Sequence, residues 1–151
     1  MSIEHFYEVG LSWKSDRKGI LSSPELTETI EVVTPPEFPK GIPNIWSPEH
    51  LLVAAVNGCL MTTFLSIAEN SKLNFKSFNS KAIGKLEMVD GKYMISEITL
   101  KPILVLENEN DRERALRVLS KTEPNCLISN SVKSKIIFEP EVLVKVLTRI
   151  I

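Results

Sequence analysis

Two cysteines, one carboxylate and one arginine carry what chemistry this sequence offers. Cys59 lies inside a long apolar run, SPEHLLVAAVNGCLMTTF (residues 47–64), and Cys126 follows 67 positions later in NCLISNS. Glu49 stands near the start of the apolar run, and Arg17 in the polar stretch SDRKG. In a chain where no export signal is expected, a structural disulfide would be unusual and a transient catalytic one is the usual exception. Each residue also has a plainer reading. Cysteine often packs as a small buried hydrophobe, a Glu in a first helical turn needs only the helix dipole, and a loop Arg is usually solvated. Thiol reactivity requires an electropositive surrounding, which spacing alone cannot supply. Metal chemistry lacks ligands: there is no CxxC, and the two histidines, His5 and His50, lie far apart with no close partner of ligand type, so no metal is expected.

The elements that must position these residues are marked by periodicity and punctuation. In FYEVGLSWK, Tyr7, Val9, Leu11 and Trp13 alternate with polar or small residues, predicting a strand with one buried face. SDRKG then reads as a turn, which places Arg17 in a strand-connecting loop, and ILS and LTETIEVV as two further short strands. Residues 34–46 hold four prolines and cannot be helix interior or central strand. Ser47 at the N-cap, Pro48 at N1 and Glu49 at N2 mark a helix start, and the apolar run behind them predicts a helix to residue 70, buried almost all round. A helix of about 35 Å with that composition needs more cover than one small chain supplies, which suggests an oligomer.

Residues 74–89 and 92–106 read as a long antiparallel hairpin. Placing Ala82, Leu86 and Met88 on one face with Met94, Ile98 and Leu100 requires an odd-length loop, so a three-residue VDG connection with Gly91 left-handed is expected. An amphipathic helix over about 110–122 follows, with Ala115, Leu116, Val118 and Leu119 inward, and Cys126 lies just beyond it. VKSKIIFEP reads as a strand, while EVLVKVLTRII fits either a short helix or a strand.

At 151 residues, with 43% apolar and 25% charged residues, the chain suits a single α+β domain over 1–151. A formal net charge of −1 with scattered Lys and Arg gives no field to draw in polyanions, so nucleic acid is not an expected partner, and composition alone suggests no membrane span. The N-terminal residues are charged within the first five and lack a continuous apolar stretch, so a signal peptide is not expected and a cytoplasmic location is.

Taken together, PPEF, then WSPEHLLVAAVNGC leading into a long apolar helix, and a second Cys in a Cys-x-Ile-Ser setting resemble the OsmC/Ohr family of small thiol-dependent hydroperoxide reductases. The resemblance runs from about Trp13 to Pro140. It implies an OsmC-like α+β fold, with antiparallel sheets around a long buried central helix, in an intertwined homodimer with active sites at the subunit interface. It also implies that Cys59 is the peroxidatic and Cys126 the resolving cysteine, that Glu49 orients an arginine, and that Arg17 is that arginine. The family's Gly-Arg-x-Gly setting is replaced here by DRKG.

Helix geometry bears on the interface independently. Ten residues between Glu49 and Cys59 mean about 15 Å of rise and roughly 2.8 turns, on different faces of one helix. If both serve one site, Glu49 must come from a second chain. A mid-helix thiol gains nothing from a helix N-terminus and is held protonated by apolar burial, so Cys59 needs a cation, and an Arg fixed by a carboxylate would stabilise the thiolate. Attack on the O–O bond of an organic hydroperoxide, with inorganic peroxide as a further candidate, gives an alcohol and a Cys59 sulfenic acid, which condenses with Cys126. A dithiol, from a lipoylated protein or a small thiol, would restore the pair. The protein is then its own redox centre and no cofactor is implied. The alternative is a non-catalytic OsmC-like dimer that senses redox state or binds a small molecule.

Overall fold

The computed structural model describes residues 2–145. The chain divides into two compact units, Met1–Leu51 and Leu52–Ile151. The first holds a three-stranded antiparallel sheet in the order β1 (Gly10–Ser15), β2 (Lys18–Ser22), β3 (Ile30–Val33). β1 and β2 join through the two-residue turn Asp16–Arg17, Asp16 taking φ 46°, a left-handed backbone that Asp tolerates better than most residues. The proline-rich segment closes on this sheet: the Ile42 N–H donates to Thr34 O at 2.9 Å and the Val33 N–H to Trp46 O at 2.9 Å. The expected buried face of the first strand is not formed within this unit. Regular pairing begins only at Gly10, and Tyr7, Val9, Leu11 and Trp13 are all largely exposed, because β1 is the edge strand of a sheet that by itself forms a single layer.

α1 (Pro48–Asn70) starts where the cap signals put it. The Ser47 hydroxyl accepts the His50 N–H at 3.2 Å and meets His50 Nδ1 at 2.6 Å, which ties down a free donor of the first turn. Val56, Leu60, Phe64 and Ala68, spaced by four, form its buried stripe. The expectation of burial all round fails in the single chain: Leu52 (36%), Met61 (44%) and Leu65 (41%) remain exposed, since one sheet can cover only one side of a helix. By length and composition α1 would also pass for a membrane span, with a mean hydropathy of 1.9 over 18 residues, a feature that the whole-chain composition conceals.

In the second unit β4 (Ser77–Val89) and β5 (Lys92–Leu106) form the long hairpin. Its connection is not VDG but the two-residue turn Asp90–Gly91, both with positive φ (51° and 79°), pairing Val89 with Lys92. The expected parity holds only beyond a bulge: on the turn side Leu86 pairs with Ile95, Met88 with Tyr93 and Met94 with Glu87, so Met94 does not share the face of Leu86 and Met88. Lys85 pairs with Glu97 and Leu86 with Ile95, so Ser96 is an extra residue in a β-bulge, and beyond it Gly84 faces Ile98 and Ala82 faces Leu100. Ile98, Leu100, Leu104 and Leu106 line the buried face that results.

α2 (Arg112–Thr122) follows, preceded by the short 3-10 turn Glu109–Asp111. Ala115, Val118, Leu119 and Thr122 are its buried side; Leu116, expected inward, is half-exposed because it lies one helical step off that stripe. β6 (Lys135–Phe138) and β7 (Glu141–Val144) both pair with β5 in parallel. The sheet is therefore mixed, which corrects the expectation of purely antiparallel sheets: α2 provides the crossover that a parallel return requires. β6 and β7 keep one register along β5 and are interrupted at Pro140, which has no N–H to donate. The ambiguous C-terminal run is thus strand as far as Val144, and residues 146–151 lie outside the described residues.

Candidate active site: a thiol pair and a cation–carboxylate cavity

In the second unit the two thiols, 67 positions apart in sequence, enter one apolar cluster. Cys126 is fully buried with Val56, Leu60, Ile98 and Leu100, and half-buried Cys59 packs against the same cluster, as do Val53, Ile128 and Val132. Both are free thiols. α1 presents Cys59 on the side adjoining its buried stripe, while the 3-10 turns Glu123–Asn125 and Ser129–Ser131 bracket Cys126 and turn it inward.

Hydrogen bonds fix both sulfurs. The Cys126 thiol donates to Thr122 O at 3.2 Å, and Thr122 satisfies its own hydroxyl on Val118 O at 2.7 Å. Cys59 Sγ lies 3.8 Å from Thr63 Oγ1, one turn along α1. Burial pushes the Cys126 thiol up to about 11; a hydrogen bond from Thr63 opposes this, and the neighbouring Cys59 and Glu123 add to it. Both cysteines thus belong to one packed cluster. Thr63 and Thr122 were not singled out from the sequence, though their positions four after Cys59 and four before Cys126 are the signal that would have found them.

The first unit carries a separate feature. A cavity of about 390 Å³ is lined by Arg17 and Glu49, with Trp13, Val33 and Phe38 as apolar walls. The β1–β2 turn presents Arg17, whose carbonyl accepts the Thr34 N–H at 3.2 Å and so anchors the turn to the proline-rich segment. The capped first turn of α1 presents Glu49. Arg17 and Glu49 face this one cavity without forming an ion pair: Arg17 is exposed, and Glu49 Oε2 is buried with no hydrogen-bond partner among the described residues. His5 is exposed and His50 is engaged at the helix cap. Among the described residues no group of three or more His, Cys, Asp or Glu could hold a metal ion.

Residues 41–141, well over half of the chain, match the family model for OsmC-like proteins. The chain belongs to the OsmC-like family. This OsmC-like protein is 24% identical over 150 residues to the uncharacterized protein YmaD of Bacillus subtilis, covering 96% of this chain and 97% of that one. An OsmC-like protein of unknown function from Vibrio cholerae superposes with a TM-score of 0.80 at 21% identity, covering 91% of this chain and 99% of the other. An organic hydroperoxide resistance protein from Elizabethkingia anophelis gives 0.73 at 19% identity, with coverage of 95% and 100%. The organic hydroperoxide resistance protein OhrB of Bacillus subtilis gives 0.67 at 17%, with coverage of 91% and 98%. At these identities the likeness is one of fold.

Proposed function

We propose that this OsmC-like protein is a thiol-dependent peroxidase that reduces organic hydroperoxides to alcohols. The observation that carries the reading is the meeting of Cys59 and Cys126 in one cluster of the second unit. The Cys59 thiolate attacks the O–O bond, the alkoxide leaves and takes a proton to become the alcohol, and Cys59 becomes a sulfenic acid. Cys126 then attacks the Cys59 sulfur; the S–S bond forms and hydroxide leaves, joining the Cys126 proton as water. A dithiol, from a lipoylated protein or a small thiol, reduces the disulfide by exchange.

Cys59 is half-buried and so the more accessible of the two thiols, whereas Cys126 is sealed in, an asymmetry that suits one peroxidatic and one resolving sulfur. Arg17 and Glu49 supply the charge that a thiolate and a peroxide oxygen need, and the aromatic and aliphatic walls of their cavity favour an organic tail. The spacing of Glu49 and Cys59 on α1, with the apolar face at Leu52, Met61 and Leu65, supports a homodimer in which a site draws Glu49 and Arg17 from a second copy. A cytoplasmic location fits a protein cycled by thiol reductants.

The test is hydroperoxide loss in the presence of a dithiol. Wild type is expected to consume an alkyl hydroperoxide well above the thiol blank, Cys59→Ser to fall to the blank, and Cys126→Ser to lose sustained turnover with the dithiol. Consumption that survives Cys59→Ser overturns the site; none in the wild type overturns the reading. A second reading, a redox sensor or small-molecule-binding dimer without efficient turnover, is favoured by one observation: among the described residues Glu49 Oε2 has no hydrogen-bond partner and Arg17 is not held against it. That reading expects a disulfide to form stoichiometrically without sustained peroxide loss.

A further inference from the structure

Cys59 sits where a thiolate is hard to make. It lies in the middle of α1, away from the positive end of the helix dipole, and packs against the aliphatic cluster of Val56, Leu60, Ile98 and Leu100, surroundings that favour the thiol. Arg17 belongs to the first unit. The second unit places a neutral donor against the sulfur instead: Thr63 Oγ1 stands 3.8 Å from Cys59 Sγ, within hydrogen-bond reach of a sulfur atom.

The neighbouring threonine shows how α1 keeps that hydroxyl for the sulfur. The Cys59 carbonyl stands three residues before Thr62 and four before Thr63, within back-bonding reach of either. Thr62 takes it, donating at 3.1 Å. Thr63 turns its own hydroxyl to the sulfur of the same residue, and its β-branched, half-buried side chain holds it there. Between a thiol and a hydroxyl either group can donate. Once the thiol has lost its proton only the hydroxyl can, and an ionised sulfur is the stronger acceptor. The contact therefore strengthens in the form that attacks a peroxide. We propose that Thr63 is the hydrogen-bond donor that stabilises and aims the Cys59 thiolate.

The proposal deepens the peroxidase reading and rests on its choice of Cys59 as nucleophile, yet it can be tested without peroxide. In a Cys126→Ser parent Cys59 is the single thiol of the chain, and its reaction with iodoacetamide, in which the sulfur displaces iodide, is followed by mass across pH. Where the parent's rate still rises with pH, Thr63→Val, which keeps the shape and removes the donor, is expected to react about threefold more slowly. Loss of one hydrogen bond to a charge lowers the thiolate population about tenfold, and the greater nucleophilicity of the more basic thiolate restores part of the rate. On the high-pH plateau the same variant should match or exceed the parent, whereas altered packing would change the rate by one factor at every pH. Thr63→Ala is held to the same profile, so a fold lost to the valine leaves the test intact. Thr63→Ser, which restores the hydroxyl, and Thr62→Val, which removes only the carbonyl's partner, should both follow the parent. A Thr63→Val or Thr63→Ala profile that overlays the parent or is displaced by one factor throughout, a Thr63→Ser as slow as Thr63→Val, or an equal slowing in Thr62→Val would overturn the proposal. Failure of the peroxidase reading shows separately, as a wild type that consumes no hydroperoxide although Cys59 follows these profiles.

Discussion

Cys126 gives the residue scale its clearest energetic signature. With its thiol pushed up to about 11 by burial, about one molecule in ten thousand carries the thiolate at neutral pH. In the proposed cycle the closure by Cys126 would therefore be slowed by its buried environment and not by its residue type. The same shift fixes a stability effect. A thiol whose folded pKa lies above its ordinary value of about 9 contributes stability that is complete below that pH and is lost as pH rises toward about 11. Wild type should lose on the order of 2 kcal/mol more than Cys126→Ser between pH 8 and pH 11, measured as the unfolding free energy in urea with both proteins kept reduced. Equal losses in the two proteins would remove burial as the cause. The sequence displayed both cysteines but not this difference, because exposure depends on which elements cover each sulfur.

At the scale of elements, the hairpin meets the expected parity over one part and breaks it over the other: a two-residue turn with a bulge puts Ala82 opposite Leu100 but leaves Met94 opposite Glu87 and off the face of Leu86 and Met88. The structure puts the extra residue at Ser96, whose hydroxyl donates to the Glu87 carboxylate and, with Lys85 at 3.4 Å, holds that carboxyl below its usual range. Two residues before the bulge, β4 passes so close to α1 that a Cβ on Gly84 would stand 2.5 Å from Val53 Cγ2. Gly84→Ala should cost about 1–3 kcal/mol, seen as a lower urea midpoint, and pairing it with Val53→Ala should recover part of that loss. The start of α1 was legible from Ser47, Pro48 and Glu49 because capping is local chemistry; its covered side was not, because that depends on which sheet lies against it.

For the molecule as a whole, the exposed Leu52, Met61 and Leu65 form an apolar face on the longest helix, next to Ala55 and Gly58, where nothing stands within 4 Å of a Cβ added at Gly58. Such a face is expected to be covered by a second copy. Wild type should sediment as a dimer, and Met61→Glu with Leu65→Glu should shift it to the monomer mass while the isolated chain keeps its helical circular dichroism. A wild type that sediments as a monomer at high concentration would rule out a site shared between copies. By itself the sequence determined what depends on neighbours along the chain: the capped helix, the alternation of the long hairpin, the amphipathic second helix, and the residue types that make thiol chemistry the leading candidate. Only the tertiary structure decided what depends on distant segments meeting. It brought Cys59 and Cys126 into one cluster, turned β6 and β7 parallel to β5, and set Arg17 and Glu49 around one cavity without pairing them. Burial and contact arise from the packing of whole elements, and no local pattern of residue types carries that information.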